Sequence, residues 1–515
     1  MKKSDETLKN IIDSVKSWSD RKKLLVLLVV WALIFLPAIT LFTSIHRRTM
    51  FSHYPSSSSP LEVSQEDWNV TLYPEAELRD DRYYIHVEEG EKVNFRWEAE
   101  DYSARVHLGQ VNVYYNTSWG DEGVIRLDQI AEESEGPNET WEKEHEFDRS
   151  GGVYYYYRGD KSDIALYQRR ASVILEGGNI YEDIRTDPPP LINFIFVPPT
   201  ALSAPVSLGG YFLSFYVYFS LIILAGSFLL FETFKGWGRT KAFFSSLLYL
   251  TNPLAVYTLF QDSGVVALLL ILSIFLMVKG WKKTGFVSIA MGVAAKVWSG
   301  FFIPANLFDR NIKTKTRTKY LLISTSTLGA TLLFFYILWG PNTFFFITFY
   351  GGGASKFAFQ GINIWSGIQR VSPFGLFFST DHVLILLVII GVLTLYVAYK
   401  NKWDTIAIFT VLFLIFLMFY PKIHWWYYFI PFPVLVFYSL RNKRNFYLFV
   451  GLIGFTTLAN FSRHRYLYIL PSYINNWISF ISALIFTLIG LKIIHIFITE
   501  DKMNSYFEDI FEDGD

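Results

Sequence analysis

Asp163 is the residue whose surroundings in this 515-residue chain best suit proton chemistry. Ser162, ahead of an apolar-periodic stretch, has the form of a helix N-cap. It places Asp163 in the first turn, and Gly177-Gly178 closes the helix after Glu176. The positive end of a helix dipole favours an ionised carboxylate, the form a general base needs. A first-turn acid is also an ordinary helix stabiliser, and spacing alone favours that plainer role. Tyr167 shares the face of Asp163 at i+4. The helix leads through Gly178-Asn-Ile-Tyr181 to Asp187-Pro-Pro-Pro-Leu191, where consecutive prolines hold a stiff, extended segment. A helix pinned over a bilayer surface is the expectation.

A second group is cationic. Lys296 ends an apolar helix, so its ammonium must snorkel or meet an anion, which a lipid phosphate would provide. Lys422 and His424 follow Pro421 where a span meets the outer surface. A cation pair there suits a phosphate leaving group whose charge grows during transfer. The plainer alternative is an interfacial pair beside the aromatic belt Trp425-Trp-Tyr-Tyr428. Arg370, Arg463, His464 and Arg465 are further outward cations for which anionic headgroups are sufficient partners. Gln261 and Asp262 sit in a tight turn between apolar blocks, either orienting hydroxyl groups or simply solvated. Asp183 and Asp187 form a second acidic pair near Asp163 that could hold a cation. Outside the acidic domain no two carboxylates and a His stand at ligand spacing, and no Walker loop, Rossmann fingerprint or Ser-x-x-Lys pattern occurs. Neither metal nor cofactor is expected.

These residues must be positioned by a membrane body. Hydrophobic residues make up 51% of the chain and aromatic residues 18%, in long uninterrupted blocks. A block of about 20 apolar residues spans a hydrocarbon core about 30 Å thick. Residues 1–23 are too long and too charged for a signal peptide and form a cytoplasmic N-terminus, and 24–44 form an uncleaved anchor. A linker composition at His53–Pro60 precedes a segment, 55–158, with alternating runs at Lys92–Trp97, Gln110–Tyr115 and Gly152–Tyr157, suited to a small β-sandwich. An outer loop at 159–207 carries Asp163, and a polytopic body fills 208–498 ahead of an acidic cytoplasmic tail, 499–515. Spans are expected near 208–232, 242–259, 263–279, 284–298, 299–309, 319–340, 382–399, 404–420, 424–440, 445–460 and 474–498, with 284–298 and 299–309 as a tight helical pair. With the anchor they make twelve.

Residues 61–160 hold 25 Asp or Glu against 9 Lys or Arg, although the whole chain is neutral. The loops assigned inside, at 235–241, 279–283, 309–319, 399–403 and 441–445, are rich in Lys and Arg, as orientation by positive charge requires. That placement of the basic residues argues against nucleic-acid binding. Four Asn-x-Ser/Thr triplets, at Asn69, Asn116, Asn138 and Asn460, fall on the outer face. Cysteine is absent, which excludes disulfides and thiolate metal sites and tilts the expectation towards a prokaryotic cell membrane, with an endoplasmic reticulum membrane as the alternative.

Asp163-x-x-x-Tyr167, Ala171, Gly178, Ile180-Tyr181 and Pro189-Pro-Leu191 together resemble the first outer loop of the GT-C superfamily of polytopic glycosyltransferases. The likeness is to the branch with the catalytic subunit of GPI mannosyltransferase I and prokaryotic polyprenol-phosphate-sugar-dependent enzymes. Asn252-Pro253 with Gln261-Asp262-Ser263, Gly292-Val-Ala-Ala-Lys296 and Tyr420-Pro-Lys-Ile-His424 extend it over residues 160–440 in the family's order, though no single motif is specific. The resemblance implies an α-helical polytopic membrane protein of about twelve spans with a GT-C-like body. It also implies inverting transfer of a hexose, mannose or glucose, from a polyprenyl- or dolichyl-phosphate donor to a lipid-linked glycan, protein or surface acceptor on the extracytoplasmic face.

Asp163 is then the base. Lys422, His424, Lys296 and Arg370 bind the donor phosphate, and Tyr167, Gln261, Asp262 and Tyr181 position the sugars. The chain departs from the family where its β-rich segment separates the first span from Asp163, so that segment is expected to be an insertion that docks an acceptor or partner, or shields the site. A lipid flippase or transporter using the same cations is the rival from another class, and an adhesion or sensor protein acting through its β-domain is a third. Sugar, acceptor and oligomeric state are left open.

Overall fold

The computed structural model describes the chain except for residues 1–9, 11, 50, 54–60, 66–67, 74–76, 80–81, 101–107, 117–123, 134–139, 148–149, 160–162, 184–187, 204–209, 345, 348–358, 373–378, 464–469 and 501–515. It divides into two units. One comprises Met1–Ala38, Pro189–Ile192 and Val217–Asp515, the other Ile39–Pro188 and Asn193–Tyr216. Helix α1 (Asp20–Thr49) covers the expected anchor and begins in the first unit.

The second unit carries ten strands: β1 (Phe51–His53), β2 (Leu61–Gln65), β3 (Trp68–Tyr73), β4 (Glu77–Arg79), β5 (Arg82–Val87), β6 (Lys92–Glu100), β7 (Leu108–Asn116), β8 (Val124–Glu133), β9 (Thr140–Glu146) and β10 (Gly151–Gly159). One antiparallel sheet runs β4-β5-β10-β7-β8, with β1 also on β10, and the other runs β2-β3-β6-β9. The alternating runs at Lys92–Trp97, Gln110–Tyr115 and Gly152–Tyr157 are parts of β6, β7 and β10. The chain leaves the first sheet at Glu88–Glu91 and returns at Phe147–Ser150, and the two crossings are bonded together. Gly90 N–H donates to the Phe147 carbonyl at 2.8 Å, Phe147 N–H to Glu91 O at 3.0 Å, and Glu89 N–H to Ser150 Oγ at 2.9 Å. Of the linker composition, His53 ends β1, and 54–60 lie outside the described residues.

Helix α2 (Asp163–Leu175) follows, starting at Asp163 as the sequence indicates; Ser162 is outside the described residues. Its end is a Schellman motif: Gly178 N–H reaches Val173 O at 2.8 Å and Gly177 N–H reaches Ile174 O at 3.1 Å. Gly177 has φ +81°, which is why glycine closes this helix. Three short helices come next: α3 (Ile180–Asp183), α4 (Pro190–Ile195) and α5 (Val197–Ser203). The expected extended run of prolines stops early, because Pro190 opens α4, a position for which its fixed φ is pre-set.

The remaining helices are α6 (Gly210–Phe234), α7 (Arg239–Thr251), α8 (Pro253–Tyr257), α9 (Ser263–Val278), α10 (Lys282–Ala295), α11 (Phe302–Phe308), α12 (Thr314–Trp339), α13 (Ile364–Val371), α14 (Thr380–Lys400), α15 (Thr405–Phe419), α16 (Phe432–Ser439), α17 (Lys443–Arg463) and α18 (Ser472–Thr499). This is an α-helical membrane protein. Among the described residues six helices, α1, α6, α12, α14, α17 and α18, are long and apolar enough to cross a bilayer, or seven if α7 and Pro253–Phe260, bent by 51°, make one span. The other segments expected to cross are shorter. At 15 residues α15 rises about 22 Å, against a core of about 30 Å.

Their brevity has identifiable causes. Pro253 breaks the expected 242–259 span, and Asn252 caps the new helix by accepting from Leu254 N–H at 3.0 Å. Lys296 adopts an extended backbone between α10 and a tight turn at Val297–Phe301. Pro421 ends α15, and a tight turn at Trp425–Phe429 precedes α16. Asn460 lies in the last turns of α17, at the end opposite the basic turns, and is 1% exposed.

In the first unit, α15 is enclosed, with every residue from Thr405 to Met418 buried. At one end the turns 235–241, 279–283, 310–319, 400–402 and 441–444 carry Lys and Arg. Asp309, fully buried, ties two of them: Thr405 N–H and Oγ1 both donate to its Oδ2 at 2.8 Å, and Asn311 N–H donates to Oδ1 at 2.9 Å. Burial pushes the Asp309 carboxyl above its ordinary pKa, against the pull of the Thr405 and Asn311 hydrogen bonds. Asp20, at the start of α1, lies 3.9 Å from Arg239 at this same end.

Candidate functional site

The opposite ends of these helices gather most of the polar residues singled out in the first unit. Asp262 precedes α9 yet makes no capping bond to it, because its carboxylate meets the Lys296 ammonium at 2.5 Å. Both side chains are largely buried, at 8% and 16% exposure. A charge pair in such a place is stable only while both partners remain; removing one typically costs about 3–5 kcal/mol. The sequence asks for a snorkelling path or an anion at Lys296, and Asp262 supplies the anion from within the chain. Lys296 Nζ also stands 5.2 Å from the centre of the Tyr427 ring, within cation–π range.

Tyr427 connects this pair to His424. The His424 imidazole is stacked on Trp426 at 4.4 Å with the planes parallel to 1°, and its centre is 6.0 Å from that of Tyr427. Lys422 and Ile423 form a short strand, β12, parallel to β11 (Gln360–Gly361), with Gln360 opposite Lys422. Gly361 has φ +95°, and a Cβ there would lie 1.6 Å from the Ile423 carbonyl oxygen, so only glycine allows this pairing.

The strand pair is fastened to α13. Asn363 caps that helix by accepting from Ser366 N–H at 2.8 Å, and its Nδ2 donates to the Tyr420 and Pro421 carbonyls at 3.0 and 2.8 Å. Ser366 Oγ and Arg370 Nη2 both donate to Gly361 O, at 2.7 and 3.4 Å. Burial lowers the pKa of the Arg370 guanidinium, which remains a cation.

Among the described residues, Ser263 Oγ, Ser299 Oγ and Trp298 Nε1 at this end are buried donors without a partner, as are Asn252 Nδ2 and Ser462 Oγ. Trp298 packs 5.4 Å from Tyr427 and 4.7 Å from Phe416. Polar atoms buried without a partner are rare and characteristic of places that meet water or ligand. The sequence did not mark Trp298, Ser299 or Tyr427, but the first two stand within three residues of Lys296. Asn363 carried a legible sign, an Asn directly ahead of an amphipathic helix.

Asp163, Tyr167 and Tyr181 belong to the second unit. Asp163 is half-buried at the start of α2. Tyr167, one turn on, is 6% exposed and stacks on Phe196 at 4.2 Å. Tyr181 is 4% exposed, and its hydroxyl donates to the Pro188 carbonyl at 3.1 Å, fixing the proline segment. Gln261, 7% exposed, is the residue before Asp262. Asp187, His464 and Arg465 lie outside the described residues, as do the side chains of Asp183 and Arg463. Among the described residues no three His, Asp or Glu side chains come together as a metal ion would require. No protein-family model matches the chain, and no curated protein matches it.

Proposed function

We propose that this protein is an inverting glycosyltransferase of the GT-C kind, moving a hexose from a polyprenyl-phosphate donor to an acceptor hydroxyl on the extracytoplasmic face. The observation that carries the proposal is the continuous set Asp262–Lys296–Tyr427–His424, with Lys422 on the adjoining strand, at the helix ends opposite the basic turns. Positive-inside orientation makes the basic end cytoplasmic and this end extracytoplasmic.

The acceptor oxygen attacks the anomeric carbon as the bond from that carbon to the phosphate oxygen breaks. The phosphate leaves with the bonding electrons, and Asp163 takes the hydroxyl proton. Lys422 and His424 stabilise the charge that grows on the phosphate, Lys296 adds a cation shared with Asp262, and Arg370 lies farther along the strand pair. Ser263, Ser299 and Trp298 are donors for sugar hydroxyls. In this account the shorter helices count as crossings, giving twelve. The two bonded sheets are the layers of a β-sandwich that docks the acceptor.

The test is incubation of the protein in nanodiscs with radiolabelled polyprenyl-phosphate mannose or glucose and a panel of lipid, glycan and peptide acceptors. Label on one acceptor class with stoichiometric release of polyprenyl phosphate is the expected result. Failure of every donor to transfer would overturn it.

A second proposal, a flippase for a phosphate-bearing lipid, is favoured by the 51° break at Asn252 and the broken helix at Lys296, since transporters bind at interrupted helices. Donor lipid crossing the bilayer without sugar transfer, and undiminished in Asp163→Asn, would favour it.

A further inference from the structure

At the basic end, an open groove of about 850 Å³ lies between the start of α10 and the first four turns of α12. Lys283, Lys315 and Lys319 line it, with the Thr314 and Thr318 hydroxyls between them. Among the described residues no acidic side chain lines it, and none of these three lysines forms an ion pair with a described carboxylate, unlike Lys235 with Glu232 or Arg444 with Glu500 at the same end. The second turns of α10 and α12 are in contact, with Phe286 stacked on Tyr320 at 4.3 Å, and the N-termini of both helices lie one turn further on, adding their positive ends to the three ammonium groups. Farther along α12 the lining continues with the apolar Leu322 and Ile323 and then the hydroxyls of Ser326 and Thr327. From there α12 continues as a nearly bare apolar helix, with only Tyr320, Ser324, Phe335 and Trp339 buried.

We propose that this groove binds the headgroup of an anionic phospholipid, its phosphodiester between Lys283, Lys315 and Lys319 and its acyl chains along α12. The occupant must be anionic at one end and apolar at the other. A free phosphate would use only the basic part of the groove, and a zwitterionic lipid would bring its own cation towards the three lysines. Lysines gathered just outside the hydrocarbon on a basic face are the physical basis of such recognition.

Native mass spectrometry of the full chain released from micelles tests this, with phosphatidylglycerol, phosphatidylcholine and glycerol 3-phosphate as probes. Phosphatidylglycerol should remain bound at least tenfold more than phosphatidylcholine. The triple variant Lys283→Gln/Lys315→Gln/Lys319→Gln should lose that preference, whereas Lys→Arg at all three positions should keep it. A charge-matched control, Lys241→Gln/Lys400→Gln/Lys443→Gln, at other turns of the same end, should change retention less than twofold. Equal retention by the groove variant, or equal loss in the control, would overturn the proposal. Competition by glycerol 3-phosphate as strong as by the lipid would overturn the lipid assignment. None of these readouts depends on the protein's transferring a sugar.

Discussion

Helices α14 and α15 are neighbours joined by one short turn and both carry long apolar runs, yet they live in different surroundings. In α14 only Thr380, Val383 and Ala398 are buried, and Val388 and Leu393 are 65% and 57% exposed. In α15 every residue from Thr405 to Met418 is enclosed by protein. A helix apolar on all sides must be covered by something, lipid for α14 and other helices for α15. The enclosed helix is also the shorter, and both its ends are held by hydrogen bonds from other segments: Asp309 at the basic end, and Asn363 and Trp365, whose Nε1 donates to Phe419 O at 2.8 Å, at the site end. Helices that need not span lipid can end inside the protein, and their ends are where polar groups collect.

That contrast can be broken by substitution. Phe413→Ala in α15, where the ring is fully buried and packs against Phe301 and Phe409, should cost about 4 kcal/mol of stability in denaturation from mild detergent. Val388→Ala in α14 should change it by less than about 0.5 kcal/mol. Similar losses at the two positions would mean that α15 is no more enclosed than α14.

Asp309→Ala leaves two buried donors of Thr405 and one of Asn311 unsatisfied and should cost about 3 kcal/mol in the same measurement. Gly361→Ala forces a Cβ onto the Ile423 carbonyl at a left-handed backbone angle; it should cost about 2 kcal/mol and loosen Lys422 and His424, read as increased amide exchange at Ile362, whose N–H bonds Ile423 O.

The smallest effect is a pH slope. Burial raises the folded-state pKa of Asp309 above 3.8, so its contribution to stability is greatest below pH 3.8 and falls as pH rises from there to the raised value. Against Asp309→Asn, which has no such titration, the wild-type chain should lose stability over that window; a flat difference would show that the carboxyl is not desolvated.

Much of this was legible in the residues. Block length and the basic turns gave a membrane protein, alternation located strands such as β6, β7 and β10, and Asp163 with Gly177-Gly178 bounded α2. Apolarity alone does not distinguish lipid from protein as a neighbour: α9 and α15, read as crossings in sequence, are 16 and 15 residues long, shorter than the six helices long enough to span by length. The partner of Lys296 was not legible, since Asp262 lies 34 residues away in sequence and meets it only when α9 and α10 pack antiparallel. The roles of Trp298 and Tyr427 arise from the same folding back of the chain.

The most direct test of the central claim is transfer of labelled hexose from polyprenyl phosphate by Asp163→Asn in membranes where wild-type and variant chains are equally abundant. Loss of a positioned general base should lower the rate by a factor of about 10²–10⁴ while donor binding persists. Full transfer activity in that variant would contradict the assignment of Asp163 and the glycosyltransfer mechanism built on it.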